Sequence, residues 1–281
     1  MFPHRWYDTI APNKTHGGRI GERMTERSRA SATRRAVTDR AKMLVRSQLY
    51  RRNLELSKDP LPRRIVAALS WLGADTVLDV GANVGQYADA LRSSGYRGRI
   101  ISFEPLAEAY ARLAHHAAKD PGWTAVHSAV GAEPGTLEIH IAANSHSSSA
   151  LPMNRTHLDA APHSRTIGIE SAPVTTIADV VATYGVAPER TLLKVDTQGY
   201  EAPVLDGAGE LLREFALIQL ELSFVSLYDG QALYPELVAR LAGLGFEWYG
   251  VDAAFVDPRT GRMLQVDGLF ARSSLLDRPV S

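Results

Sequence analysis

The feature that most constrains this chain is alternation. Short β-branched, apolar runs at residues 76–80, 99–103, 123–127, 191–195 and 216–222 are interleaved with stretches of helical spacing at 84–92, 106–119, 177–184, 200–212 and 234–244. A strand that passes through a helix before the next strand cannot make a hairpin. Its crossover sets neighbouring strands parallel and covers both faces of the sheet with helices. Runs at 246–252 and 263–270 close the pattern, and residues 136–141 alternate like a strand with one solvent-facing side. Residues 142–173, rich in Ser, His and Pro, read as a loop. The fold class is α/β, doubly wound.

Ahead of the alternation the sequence changes character. Residues 1–32 scatter Pro3, Pro12, Gly17, Gly18 and Gly21 among Arg and Thr without apolar periodicity, which reads as a flexible basic arm. Residues 36–56 have the spacing of a basic amphipathic helix ending before Pro60. Residues 61–72 predict a second helix, with Ile65, Val66, Leu69 and Leu72 on one face. The expected organisation is therefore an arm (1–32), N-terminal helices acting as a lid or packing extension (33–72), and a main domain (73–281).

Formal charge sharpens that division. The chain holds 31 basic and 31 acidic residues, but residues 1–64 carry 16 Lys and Arg against 6 Asp and Glu, leaving 15 against 25 for the remainder. A basic head suits a solvated lid, an anionic membrane surface or nucleic acid. Its aromatics are only Phe2, Trp6, Tyr7 and Tyr50, few for stacking bases, which weighs against nucleic acid. No apolar run approaches the roughly 18 residues of a bilayer span, and no apolar core follows the charged N-terminus, so a cytoplasmic protein is expected. With no Cys, disulfides, thiolate metal ligands and Cys nucleophiles drop out.

In an open α/β sheet, ligands bind beyond the carboxyl ends of the strands at the switch point. The first strand ends there in VLDVGANVGQY (77–87). Gly81 and Gly85 allow a tight turn and close backbone approach, whereas Asn83 and Gln86 stand where a dinucleotide fingerprint has its second and third glycines. Asp79, two residues before the first glycine, disfavours phosphate and suits a ligand bearing an ammonium group. The second strand ends at Glu104, 25 residues later, placed to accept hydrogen bonds from both hydroxyls of a ribose. Two acids and two glycines in this order fit a cationic, phosphate-free nucleoside, and S-adenosylmethionine is such a molecule.

These residues carry a resemblance. From about residue 64 to 272 the chain resembles the FkbM family of S-adenosylmethionine-dependent O-methyltransferases, through VLDVGANVGQYA (77–88), ISFEP (101–105), HSAVG (127–131), SSSAL (147–151), VTTIADVV (174–181), LLKVDTQGYE (192–201) and QVDGLFAR (265–272). The resemblance implies a Rossmann-like class I methyltransferase sheet, mostly parallel with an antiparallel closing strand. It also implies that Asp79, Gly81, Asn83 and Gly85 shape the methionine and ribose side of the cleft, that Glu104 holds the ribose diol, and that Ser128 and Ala129 flank the adenine. The implied acceptor is a hydroxyl of a sugar, glycolipid or specialised metabolite, with no metal ligand set. RNA methylation through the basic head and a non-catalytic nucleoside-binding module are the alternatives.

Methyl transfer to oxygen needs an acceptor placed in line with the donor and relieved of its proton. The fourth core strand ends in KVDTQGYE, which makes Asp196 the leading candidate base, with Glu201 in the next helix as an alternative. Lys194 and Glu221 are candidates for substrate contact. His146, in the Ser-rich loop, is the most plausible imidazole base. His115 and His116 are adjacent on a helix, so their side chains diverge and do not chelate.

Overall fold

The computed structural model describes residues 61–277. The arm expected over 1–32 and the helix expected over 36–56 lie outside them.

The expected doubly wound sheet is present. Its strands are β1 (Thr76–Val80), β2 (Arg99–Phe103), β3 (Trp123–Val126), β7 (Thr191–Val195), β8 (Leu217–Ser223), β9 (Phe246–Val256) and β10 (Met263–Arg272), in the order β3-β2-β1-β7-β8-β10-β9. Neighbours are parallel from β3 to β8, and β10 runs antiparallel to both β8 and β9. Every residue of β1, β7 and β8 is buried, as apolar runs covered on both faces require.

The pleat divides the core. Leu78, Val80, Leu193, Val195 and Leu220 face α5 (Ile177–Tyr184), α6 (Glu201–Asp206) and α7 (Tyr234–Gly243). Val77, Ile100, Leu192 and Leu217 face α1 (Leu61–Leu72), α2 (Gln86–Ser93) and α3 (Ala107–Ala117). Helix α1 buries Ile65, Ala68, Leu69 and Leu72, the spacing of one helical face. Among the described residues no helix is long and apolar enough to cross a membrane.

Two expectations change. Residues 142–173 are not one loop: they contain a 3-10 turn at Ser145–Ser147, helix α4 (Arg155–Ala160) and most of β6 (Thr166–Thr175). Strand β6 is the centre of a second sheet, between β4 (Ala129–Val130) and β5 (Gly135–Ala142), so the strand expected at 136–141 belongs to this sheet rather than the main one. Pro173 argues against a strand by sequence, yet β4 pairs only Val174 and Thr175 of β6. The Pro173 carbonyl faces the Ser128 hydroxyl on that open side, so the missing N–H breaks no ladder bond to β5. The helix expected over 200–212 also divides, into α6 and a 3-10 turn at Gly209–Glu214, with Gly207 and Gly209 at the break.

Candidate active site

A cleft with about 710 Å³ of space, its mouth included, opens beyond the carboxyl ends of β1, β2 and β7. On one side the turn after β1 supplies Gly81, Asn83 and Gln86. Glu104 to Leu106 follow β2, and Ser128 to Val130 follow β3. Leu137 and Ile139 of β5 form an apolar wall, and Ser145, His146 and Ser148 to Ala150 with Asp196 to Gln198 and Tyr200 complete the rim. Among these lining residues there is no Lys or Arg.

Glu104 is held in the cleft by its own loop and by the turn after β1. One carboxylate oxygen accepts from the Leu106 N–H at 2.9 Å and the other from the Asn83 N–H at 2.8 Å, while the residue is 5% exposed. Burial pushes its carboxyl up to about 7, against the opposing pull of those two N–H groups and of Lys194. A group donating two hydroxyls would favour its charged form. Asn83, in the left-handed region at φ 48°, donates from its amide to the Ser145 carbonyl at 3.0 Å and so ties the first turn to the small-sheet segment.

Gly81 marks where two strand ends touch. At φ 76° a Cβ would stand 1.9 Å from the Asp196 carbonyl oxygen, so only glycine lets the β1 turn lie against the end of β7. Gly85 serves packing instead: its Cβ would meet the Trp123 ring at 2.7 Å, and it does not line the cleft.

The structure places Asp79 beneath the cleft rather than in it. Parallel register sets Ser102, Asp79 and Lys194 side by side on one face of β2, β1 and β7. The Ser102 hydroxyl, itself receiving the Trp123 indole N–H, donates to Asp79 at 2.9 Å, and the Lys194 ammonium lies 3.1 Å from the other oxygen. Asp79 is fully buried and is not among the residues that line the cleft. Lys194 also donates to the Gly81 carbonyl at 3.1 Å and lies 3.6 Å from Asp196. Burial lowers its ammonium pKa, but the charges of Asp79 and Asp196 outweigh this and hold it above the ordinary value. The buried pair therefore anchors the turn that forms the cleft floor.

Asp196, by contrast, reaches the cleft with its side chain 37% exposed. Its Oδ1 accepts from the Gln198 amide at 2.9 Å, and the same amide nitrogen donates to Glu221 Oε2 at 2.8 Å. Burial first, then the charges of Asp196, Glu201 and Asp267, hold the Glu221 carboxyl well above the usual range. Asp267, opposite Glu221 on β10, is pushed up to about 6 by burial and by Asp196, with Lys194 opposing.

Glu201 is not brought to the cleft. It is 2% exposed, and one of its oxygens accepts from the Thr197 and Gly199 N–H groups at 3.0 and 3.1 Å, bracing the loop after β7. His146 does line the cleft, on the 3-10 turn, with its Nδ1 3.2 Å from the Gln86 amide. Ser128 and Ala129 line it too, the Ser128 hydroxyl directed to the Ala129 and Pro173 carbonyls. Sequence reasoning gave no role to Gln198 or Tyr228. The Gln-Gly pair inside the 192–201 motif was a signal for the first, and nothing local marks the second.

Residues 79–248, more than half the chain, match the family model described as the methyltransferase FkbM domain. The chain belongs to the FkbM methyltransferase family. This FkbM chain is 26% identical over 148 residues to the hexuronic acid methyltransferase AglP of Haloferax volcanii, a match spanning 53% of the chain and 56% of that relative. Among solved structures, it is similar to the FkbM methyltransferase of Methylobacillus flagellatus KT, at 14% identity and a TM-score of 0.43 over 69% of this chain and 43% of that one. It is also similar to a SAM-dependent methyltransferase from Aquifex aeolicus, at 15% identity and a TM-score of 0.36 over 75% of this chain and 88% of that one.

Proposed function

We propose that this chain transfers a methyl group from S-adenosylmethionine to a hydroxyl of a sugar, glycolipid or other specialised metabolite. One observation carries the reading: a single cleft has a buried, backbone-held glutamate at the end of β2 and a partly exposed aspartate at the end of β7, with no Lys or Arg among its described lining. That lining suits a phosphate-free nucleoside carrying positive charge better than a dinucleotide.

In this reading Glu104 accepts the two ribose hydroxyls, and Leu106, Val130, Leu137 and Ile139 offer apolar walls to the adenine beside Ser128 and Ala129. Gly81 and Asn83 face the methionine portion, while Asp79 and Lys194 act from below by fixing the turn. When bound, the donor supplies a methyl group activated on a sulfonium. The acceptor oxygen bonds to that carbon as the carbon–sulfur bond breaks, sulfur keeps the electron pair, and the hydroxyl proton passes to the Asp196 carboxylate. A base so placed contributes about 10²–10⁴-fold. Glu221, 8% exposed and not among the residues lining the cleft, stands behind Asp196 through the shared Gln198 amide instead of contacting substrate as expected, and His146 borders the mouth.

A sugar hydroxyl is favoured as acceptor because the curated relative is described as acting on a hexuronic acid. The test is a screen with methyl-labelled S-adenosylmethionine against sugars, glycolipids, polyketides and RNA. Label is expected in an O-methyl ether of a hydroxylated small molecule or glycolipid. Label in RNA alone, or on nitrogen, contradicts the reading.

A further inference from the structure

Gln198 occupies a backbone conformation that its residue type resists. It lies at φ 55°, in the left-handed region, and among the described residues only Asn83 and Gln198 do so without being glycine. Glycine would adopt this turn without that steric cost, and the very next residue is Gly199. A strained position is retained when the side chain is needed there, and this side chain is fully engaged.

Its amide nitrogen donates to Asp196 Oδ1 at 2.9 Å and to Glu221 Oε2 at 2.8 Å, and its amide oxygen accepts from the Tyr228 hydroxyl at 2.9 Å. The orientation is fixed by chemistry, because carboxylate oxygens accept and the phenol donates. Tyr228 is fully buried, its hydroxyl shared with the Ser147 carbonyl at 3.0 Å, and its ring meets His157 edge-on at 5.2 Å. The Gln198 carbonyl in turn accepts from the Ser149 hydroxyl at 2.7 Å. The Gln198 side chain thus joins the ends of β7 and β8, and its backbone carbonyl together with Tyr228 ties them to the 145–160 segment.

We propose that Gln198 is a positioning residue for methyl transfer, its amide holding Asp196 on the cleft rim at a fixed separation from the buried Glu221 behind it, with Tyr228 locking the amide in place. The proposal rests on Asp196 taking the acceptor's proton. It adds that neither carboxyl is aimed by its own strand alone. The other titratable groups around the pair are Lys194 on β7, Glu201 on α6, Asp267 on β10 and Tyr228. Among the described residues only the amide donates to both acids.

Gln198→Gly separates this role from a structural one, since it removes the amide while keeping a residue suited to the turn. In ¹³C carboxyl NMR of the protein alone, the Glu221 titration should move to higher pH, because its buried carboxyl loses the amide donor that favours the ionised form. With an acceptor from the labelled-methyl screen, kcat should fall about 10- to 100-fold while donor Kd stays within about threefold and Tm does not fall. Tyr228→Phe should give the same pattern, smaller. An unchanged carboxyl titration overturns the proposal, as does a loss of turnover matched by loss of donor affinity or of Tm. If instead the wild-type chain transfers no methyl group while the titration moves as expected, the functional reading fails and the positioning geometry stands.

Discussion

The two sides of the cleft are built by different means. The side formed by the ends of β1 and β2 is backbone-lined: one turn, one buried glutamate, and two N–H groups, one from the turn after β1 and one from the glutamate's own loop. The side formed by the ends of β7 and β8 is a network of side chains, in which Asp196 and Gln198 after β7 meet Glu221 on β8 and Tyr228 in the loop beyond it, with Ser147 and Ser149 behind them. A nucleoside that is always the same molecule suits a short fixed motif. An acceptor that varies between proteins suits a surface that many segments can reshape.

The two sides touch at Gly81, so the substitution with the largest expected effect is Gly81→Ala. A methyl group 1.9 Å from the Asp196 carbonyl oxygen, at φ 76°, must push the turn and the β7 end apart. The expected loss is about 3 kcal/mol or more in urea unfolding, from combined backbone strain and overpacking. A loss below about 1 kcal/mol would mean that the two sides are not in the contact described. Next comes Asp196→Asn, which keeps shape but cannot accept a proton. Turnover should fall at least about tenfold in steady-state kinetics while Glu201→Gln, whose acid braces a loop, acts mainly through Tm. Equal turnover losses with no change in Tm would put Glu201 back among the reacting groups.

The smallest effect separates the sides by pH. His157 packs against Tyr228 and Phe255, and burial lowers its imidazole to about 4 from an ordinary 6.5. Between those values the unfolded chain takes up a proton that the folded chain refuses. Its contribution to stability is therefore full above about pH 6.5 and declines as pH falls toward 4. His157→Phe should flatten that part of the stability profile, read as the urea midpoint against pH, without altering donor affinity. An unchanged slope would remove the neutral buried imidazole from the acceptor-side packing.

Legibility in the sequence follows the same division. Strands buried on both faces announce themselves as apolar runs, and β1, β2, β7 and β8 fall within a residue of where the pattern puts them. The capping of α5, where the Thr176 hydroxyl accepts from the Asp179 N–H at 3.0 Å, is likewise written in VTTIADVV. Glu104 and Asp196 were legible because a strand end in an open α/β sheet faces the cleft. Asp79 was not, because an acid at a strand end looks the same whether it meets a ligand or a lysine 115 positions away. Glu201 looked like a helix-start acid open to the site, and only the curl of residues 197–199 turns its carboxylate inward. Strand β6 was hidden by Pro173, whose open edge depends on how short β4 is. Tyr228 has no local signal at all, since its role comes from packing beneath Gly199 and reaching Gln198.

The division of labour is tested most directly by calorimetric titration of S-adenosylmethionine into the wild-type chain, Glu104→Gln and Asp196→Asn across pH 6 to 8, a window of about one unit either side of the Glu104 carboxyl near 7. Ribose hydroxyls donating to Glu104 favour its ionised form, so wild-type affinity should weaken as pH falls below about 7. Glu104→Gln should bind about tenfold or more weakly with that pH dependence gone, and Asp196→Asn should stay within about threefold of wild type. Donor binding lost equally in both variants, or unchanged in Glu104→Gln, would contradict the account.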